Sequence, residues 1–249
     1  HFWLANSNLS LCDKLEFERR VSVQHNRLTL FAGHYGSGKT NIAVNYAIQL
    51  SAEGEKVCIG DLDIVNPYFR TADSADRLQK AGVALISPQF ANSNVDLPAL
   101  PAEAYRLVQD RSVYGIMDIG GDDRGAYALG RYVPFLKEEN DYKMVFVANF
   151  SRPLTQTPEE AVEVMGEIEA ACGLRFTHIV NNTNLGPMTD AQVVLDSQQK
   201  IQTLCQITGL PLYFTAVRAD LAPELAQKLP NVFPLQLQEK YFDLPDQII

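Results

Sequence analysis

Apolar and polar residues run along this chain in two rhythms. Short apolar runs recur at 28–32, 57–60, 83–87, 113–119, 143–149, 176–181 and 211–216, and these predict strands. Between and after them, at about 39–52, 68–81, 98–110, 125–138, 157–171, 190–207 and 219–228, apolar positions fall at helical spacing. Strands alternating with helices predict an α/β protein. Its sheet should be mostly parallel, of about seven strands, with helices on both faces in three layers. Residues 1–26 show no clear period beyond a possible short helix over 11–20, and read as an N-terminal extension. No linker, repeat or low-complexity tract breaks 27–249, which reads as one domain.

The connections divide into two kinds. Helix-to-strand turns such as Glu53-Gly54-Glu55-Lys56 and Lys80-Ala81-Gly82 are short and plain. Strand-to-helix turns are longer and rich in hydrogen-bonding side chains: 61–67, 89–94, 120–124, 151–153 and 181–184. In a parallel sheet all of the second kind emerge at the carboxyl edge, where open α/β folds bind ligands. That edge is the expected functional rim.

Composition narrows the classes. With 30 acidic against 21 basic residues the net charge is −9, and no Lys/Arg cluster suits a nucleic-acid backbone. The four cysteines, Cys12, Cys58, Cys172 and Cys205, are far apart and form no C-x-x-C pair. They are expected to be reduced, mostly buried thiols in a cytoplasmic protein. No apolar run reaches the roughly 18 residues of a membrane span, and no signal peptide is expected from the opening His1-Phe2-Trp3-Leu4.

The rim begins with Gly33-His34-Tyr35-Gly36-Ser37-Gly38-Lys39-Thr40, a complete G-x-x-x-x-G-K-T phosphate loop between a predicted strand and a predicted helix. Glycines let backbone N–H groups crowd inward, and the helix start adds positive potential. Gly33, Gly36, Ser37, Gly38, Lys39, Thr40 and Asn41 are the expected phosphate-binding set. Lys39 would reach the β- and γ-phosphates, and the Thr40 hydroxyl would ligate Mg²⁺. The metal needs carboxylates nearby, usually acting through water. Tyr114-Gly115-Ile116-Met117-Asp118 is an apolar strand ending in Asp, the Walker B pattern. After it, Asp118-Ile119-Gly120-Gly121 would let Gly121 present an N–H to the γ-phosphate. A second strand end supplies Asp61 and Asp63.

This phosphate loop, the D-x-D at 61–63, the D-x-x-G at 118–121 and the Asn at 181 resemble the MinD/ParA-type branch of P-loop ATPases. That branch includes iron–sulfur carriers and the dethiobiotin and cobyric-acid synthetase group. Words such as Gly33-His34-Tyr35-Gly36 and Val180-Asn181-Asn182-Thr183-Asn184 resemble a bacterial subgroup of uncharacterised nucleotide-binding proteins. The resemblance runs from about Arg27 to Arg218. It implies the P-loop NTPase fold, a strand order near 3-2-4-1-5-6-7, and a homodimer that closes over ATP. It also implies that Asp61 and Asp118 hold Mg²⁺ waters, that Asp63 orients the attacking water, that Asn181 binds the adenine edge, and that Arg218 lies beside the base. One position departs from the pattern. Where the branch carries an early lysine that crosses the dimer interface this chain has His34, followed by Tyr35 in place of Gly. Arg70, Arg124, Arg131 and Arg152 are the candidates for a substitute cation.

The predicted base is adenine. P-loop GTPases place an Asp after this strand to accept two hydrogen bonds from guanine, and Asn181-Asn182-Thr183-Asn184 puts an amide there instead. Membrane-cycling relatives end in a basic amphipathic helix, whereas 231–246 is Pro-broken and acidic. Iron–sulfur members use closely spaced cysteines, which this chain lacks. The expected activity is a Mg²⁺-dependent, slowly turning ATPase acting as a switch on a protein partner. The alternatives are an ATP-dependent small-molecule kinase or ligase, and a nucleotide-binding regulator with little turnover.

Overall fold

The protein's structure, a computed structural model, describes residues 26–62, 74–86, 102–120 and 129–237. Strands β1 (Leu28–Ala32), β2 (Val57–Leu62), β3 (Ala84–Ile86), β4 (Tyr114–Ile119), β5 (Tyr142–Ala148), β6 (His178–Asn181), β7 (Leu212–Arg218) and β8 (Val232–Leu235) form one sheet. Their order is β3-β2-β4-β1-β5-β6-β7-β8, and every pairing is parallel. Helices α1 (Lys39–Ala52), α2 (Ala75–Lys80), α3 (Arg106–Gln109), α4 (Val133–Glu139), α5 (Pro158–Cys172), α6 (Ala191–Asp196), α7 (Gln198–Thr208) and α8 (Ala222–Leu225) connect them.

The central strands are mostly apolar on both faces because both faces are covered. In β1 every residue is buried, yet the period of two survives. Leu28, Leu30 and Ala32 face a core shared with α5 and α7, while Phe31 faces α1. That split produces the three layers. Helix α5 is bounded by its own chemistry. Thr157 and Glu160 form a reciprocal capping box, Pro158 opens the first turn, and Gly173 closes the helix at φ 73°.

Three elements differ from the sequence expectation. The sheet gains β8, from the stretch read as Pro-broken. Pro234 removes a ladder donor, which an edge strand tolerates. Strand β8 is held by burial instead, with Phe233 stacked on Phe214 at 4.5 Å and tilted against Tyr46. Such aromatic pairs add about 0.5–1.5 kcal/mol each beyond area burial. The helix expected over 190–207 is two, α6 and α7, broken at Ser197, whose hydroxyl donates to Val194 O at 2.7 Å. Helix α8 is one turn where about 219–228 was expected. The other predicted helices extend partly beyond the described residues, at 68–73, 98–101 and 125–128. The polar turns at 63–67 and 89–94 lie outside them entirely. No helix among the described residues is long and apolar enough to cross a membrane.

Candidate functional site

The loop Gly33–Gly38 leaves the carboxyl end of β1 and turns into α1. Gly36 and Gly38 take φ of 75° and 91°, values side chains resist. The packing is as demanding as the dihedrals. A Cβ on Gly33 would stand 2.7 Å from Val147 O of β5, and one on Gly38 would stand 2.3 Å from Asn182 Nδ2. Asn182 donates from Nδ2 to Ser37 O at 2.7 Å, and its own N–H donates to Ala148 O. The loop is therefore gripped from outside by β5 and by the residue after β6. Ser37, with a hydroxyl that has no hydrogen-bond partner among the described residues, and Lys39 and Thr40 are all buried.

Beside the loop, parallel register does what spacing along the chain cannot. Asp61 pairs with Asp118 across β2 and β4, and Asp118 pairs with Phe31 across β4 and β1. Register partners point to one face, and Phe31 lies edge-on to Tyr46 of α1. Both carboxylates therefore stand on the face that α1 covers, and both are buried. Two carboxyl side chains on neighbouring strands, whose backbones run about 4.8 Å apart, suit a shared cation that would relieve their mutual repulsion. Together with the Thr40 hydroxyl they form the hard oxygen set that Mg²⁺ prefers, and the residues present fit that ion. Asp63 and Gly121 lie outside the described residues, as do Arg70 and Arg124.

The base side of the rim is built from the turn after β6 and the end of β7. Asn181, expected at the adenine edge, is fully buried. Its carbonyl accepts from Thr183 N and Thr183 Oγ1, and its amide donates to Ser197 Oγ at 2.8 Å, on the break between α6 and α7. Through that bond the end of β6 is tied to the break between the two helices. Asn184, where a GTPase carries its Asp, accepts from Gly186 N and donates to Asn182 O, which shapes the turn. Arg218 sits at the end of β7. It donates to both Asp220 oxygens and to Pro187 O at 2.7 Å, bracing the two base-side loops against each other. The Arg218 hydrogen bonds hold the Asp220 carboxyl below its ordinary range. Asn41 is the third residue of α1, with its carbonyl accepting from Asn45 Nδ2.

Two further residues belong to the site that the motif reading did not assign. Asn182 locks the loop, and Asn149, at the end of β5, accepts on Oδ1 from Ser151 N and Asn184 N while its Nδ2 is buried without a partner among the described residues. The only sequence signal for either was the asparagine density at strand ends.

The arrangement is a glycine loop, a helix start and strand-end carboxylates around the middle of a 3-2-4-1-5 sheet. The fold is that of the P-loop NTPases. No protein-family profile matches the chain. The iron–sulfur cluster carrier protein of Escherichia coli K12 is 32% identical over 74 residues, or 30% of this chain. The chain thus matches only 20% of the length of that curated relative. Among solved structures, the cell division protein FtsY of Thermotoga maritima superposes with a TM-score of 0.55 at 18% identity, covering 85% of this chain and 66% of its own. The signal recognition particle receptor FtsY of Elizabethkingia anophelis, solved in complex with GDP, gives 0.49 at 22% identity, covering 78% of this chain and 58% of its own. At such identities the likeness is one of fold.

Proposed function

We propose that this chain is a Mg²⁺-dependent ATP-binding protein of the MinD/ParA-type branch of P-loop ATPases, a slow ATPase that acts as a nucleotide-driven switch on a protein partner. The observation that carries the reading is the loop Gly33–Gly38, gripped by Val147 and Asn182 and set beside the register pair Asp61 and Asp118. Lys39 meets the β- and γ-phosphates, and Gly33, Gly36, Ser37, Gly38 and Asn41 frame them. Thr40, Asp61 and Asp118 would hold Mg²⁺, which supplies charge neutralisation at the phosphates. Asp63 orients the attacking water, and Gly121 offers its N–H to the γ-phosphate. Residues 27–249 act as one nucleotide-binding domain behind a 1–26 extension, in a cytoplasmic setting suited to free thiols.

A partner at the carboxyl edge is supported by exposed apolar surface. Tyr35, Leu154, Leu185 and Met188 are 53%, 64%, 44% and 80% exposed, and all four sit in loops of that edge. Such surface favours contact with protein, a second copy of this chain included. One observation favours the reading of a regulator with little turnover. His34 stands where the branch has its interface lysine, and its Nδ1 is 3.0 Å from Tyr35 O.

Base choice is the first test. Asn181 meets the adenine edge with Arg218 beside the base, and Asn184 is an amide held in the turn where guanine would need a carboxylate. Leaving a guanine donor unpaired costs about 1–3 kcal/mol. Calorimetric titration with Mg²⁺ should show ATP bound at least about tenfold more tightly than GTP, about 1.4 kcal/mol, with affinity falling when the metal is chelated. Equal or tighter GTP binding overturns the adenine assignment, and no binding of either overturns the site.

A further inference from the structure

A nucleotide's phosphates carry several negative charges, and within the phosphate loop Lys39 offers one positive side chain. His34 is the loop's other basic residue, and its ring lies against the neighbouring Tyr35 carbonyl. A second full cation has to come from outside the loop. Arg131 is exposed in the turn before α4. Arg152 is placed differently. It belongs to the connection from β5 to α5, and β5 is one of the two strands hydrogen-bonded to β1.

The Arg152 side chain runs along the phosphate loop. Its Cδ and Nε each stand 3.8 Å from the point where a Cβ on Gly36 would be. Its Nε is buried and has no hydrogen-bond partner among the described residues, and no carboxylate among them pairs with its guanidinium. The backbone beneath it is fixed. Arg152 N donates to Asn149 O, Thr155 Oγ1 donates to Asn149 O at 2.8 Å, and Phe150 N donates to Thr183 Oγ1. A cation set down beside a phosphate loop, without a partner among the described residues and on a held backbone, is pre-organised for an anion. A guanidinium suits phosphate because its planar fork presents paired donors.

We propose that Arg152 contacts the terminal phosphate of a nucleotide seated in this loop, so that it reads triphosphate against diphosphate within one chain. The inference rests on the nucleotide site proposed above. Arg152 then supplies a permanent second cation beside the loop.

Titration of the wild type, Arg152→Ala and Arg152→Lys with ATP and with ADP, all in Mg²⁺, tests it. Arg152→Ala should weaken ATP at least about tenfold, about 1.4 kcal/mol, while ADP stays within about twofold. Arg152→Lys should recover part of the loss, because it keeps the charge but not the fork. Arg152→Gln, neutral and of similar length, carries the same ATP-to-ADP comparison if Arg152→Ala melts early. Wild-type ATP affinity in the neutral variants overturns the proposal. So does an equal loss for ATP and ADP, which would mean that Arg152 only supports the loop. Lys39→Ala separates the two levels: if it or the wild type shows no dependence on the loop, the site itself fails. If Lys39→Ala loses ATP and the Arg152 variants do not, only the Arg152 role fails.

Discussion

Lys39→Ala should lower triphosphate affinity by at least about a hundredfold and leave the fold intact. Lys39 opens α1 and is 4% exposed, with no hydrogen bond or ion pair to its ammonium among the described residues. A hydrogen bond from a charged donor contributes about 1.5–3 kcal/mol, and two such contacts at the β- and γ-oxygens exceed the roughly 2.7 kcal/mol that a hundredfold requires. Without nucleotide the Lys39 side chain makes no hydrogen bond or ion pair among the described residues that alanine would remove. The melting temperature of the empty variant should therefore hold. Affinity and melting are measured on the same samples. Unchanged affinity would remove the phosphate loop from the mechanism, and a collapsed melting curve would show that Lys39 supports the fold.

Gly33→Ala should damage both the site and the fold. The added Cβ would meet Val147 O at 2.7 Å and Val147 N at 3.3 Å, both backbone atoms of a central strand. Neither can turn away as a flexible side chain would, so the loop must lift off β5. Overpacking of this kind costs about 1–3 kcal/mol, and for a chain of this size each kcal/mol lowers the melting temperature by about 2–4 °C. Lifting the loop also misaims the N–H groups that follow, so triphosphate affinity should fall at least about tenfold. Gly166→Ala is the control. Gly166 lies on the exposed side of α5, and a Cβ there meets nothing within 4 Å. Removing a helix-interior glycine should stabilise by about 0.5–1 kcal/mol and leave nucleotide binding unchanged. If Gly33→Ala melts and binds as the wild type does, the close approach of loop and strand has no consequence.

Much of this protein was legible in its sequence because the deciding chemistry is local. The loop Gly33–Gly38 needs glycines where φ is positive, α5 is bounded by Thr157, Pro158 and Gly173, and the buried strands declare themselves as apolar runs. Each of these is set by residues within a turn or two of one another. The eighth strand was not legible, since Pro234 reads as a breaker until the sheet places it at an edge. Nor was the burial of Asn181, which depends on Ser197, 16 positions on, breaking a helix to meet it.

The site itself was decided by the sheet. Local pattern says that Asp61 and Asp118 end strands; only the order 2-4-1-5 makes them register neighbours and sets them on the face of α1. The same order brings Asn182 against Ser37 across 145 positions, Asn45 against Gln236 across 191, and Arg152 along Gly36. Periodicity records which face of an element is apolar, and the central parallel strands here are mostly apolar on both faces. The sequence therefore determined the elements and the chemistry at their ends. Which ends meet was decided by how the crossovers pack, a property of the whole chain that no window of it contains.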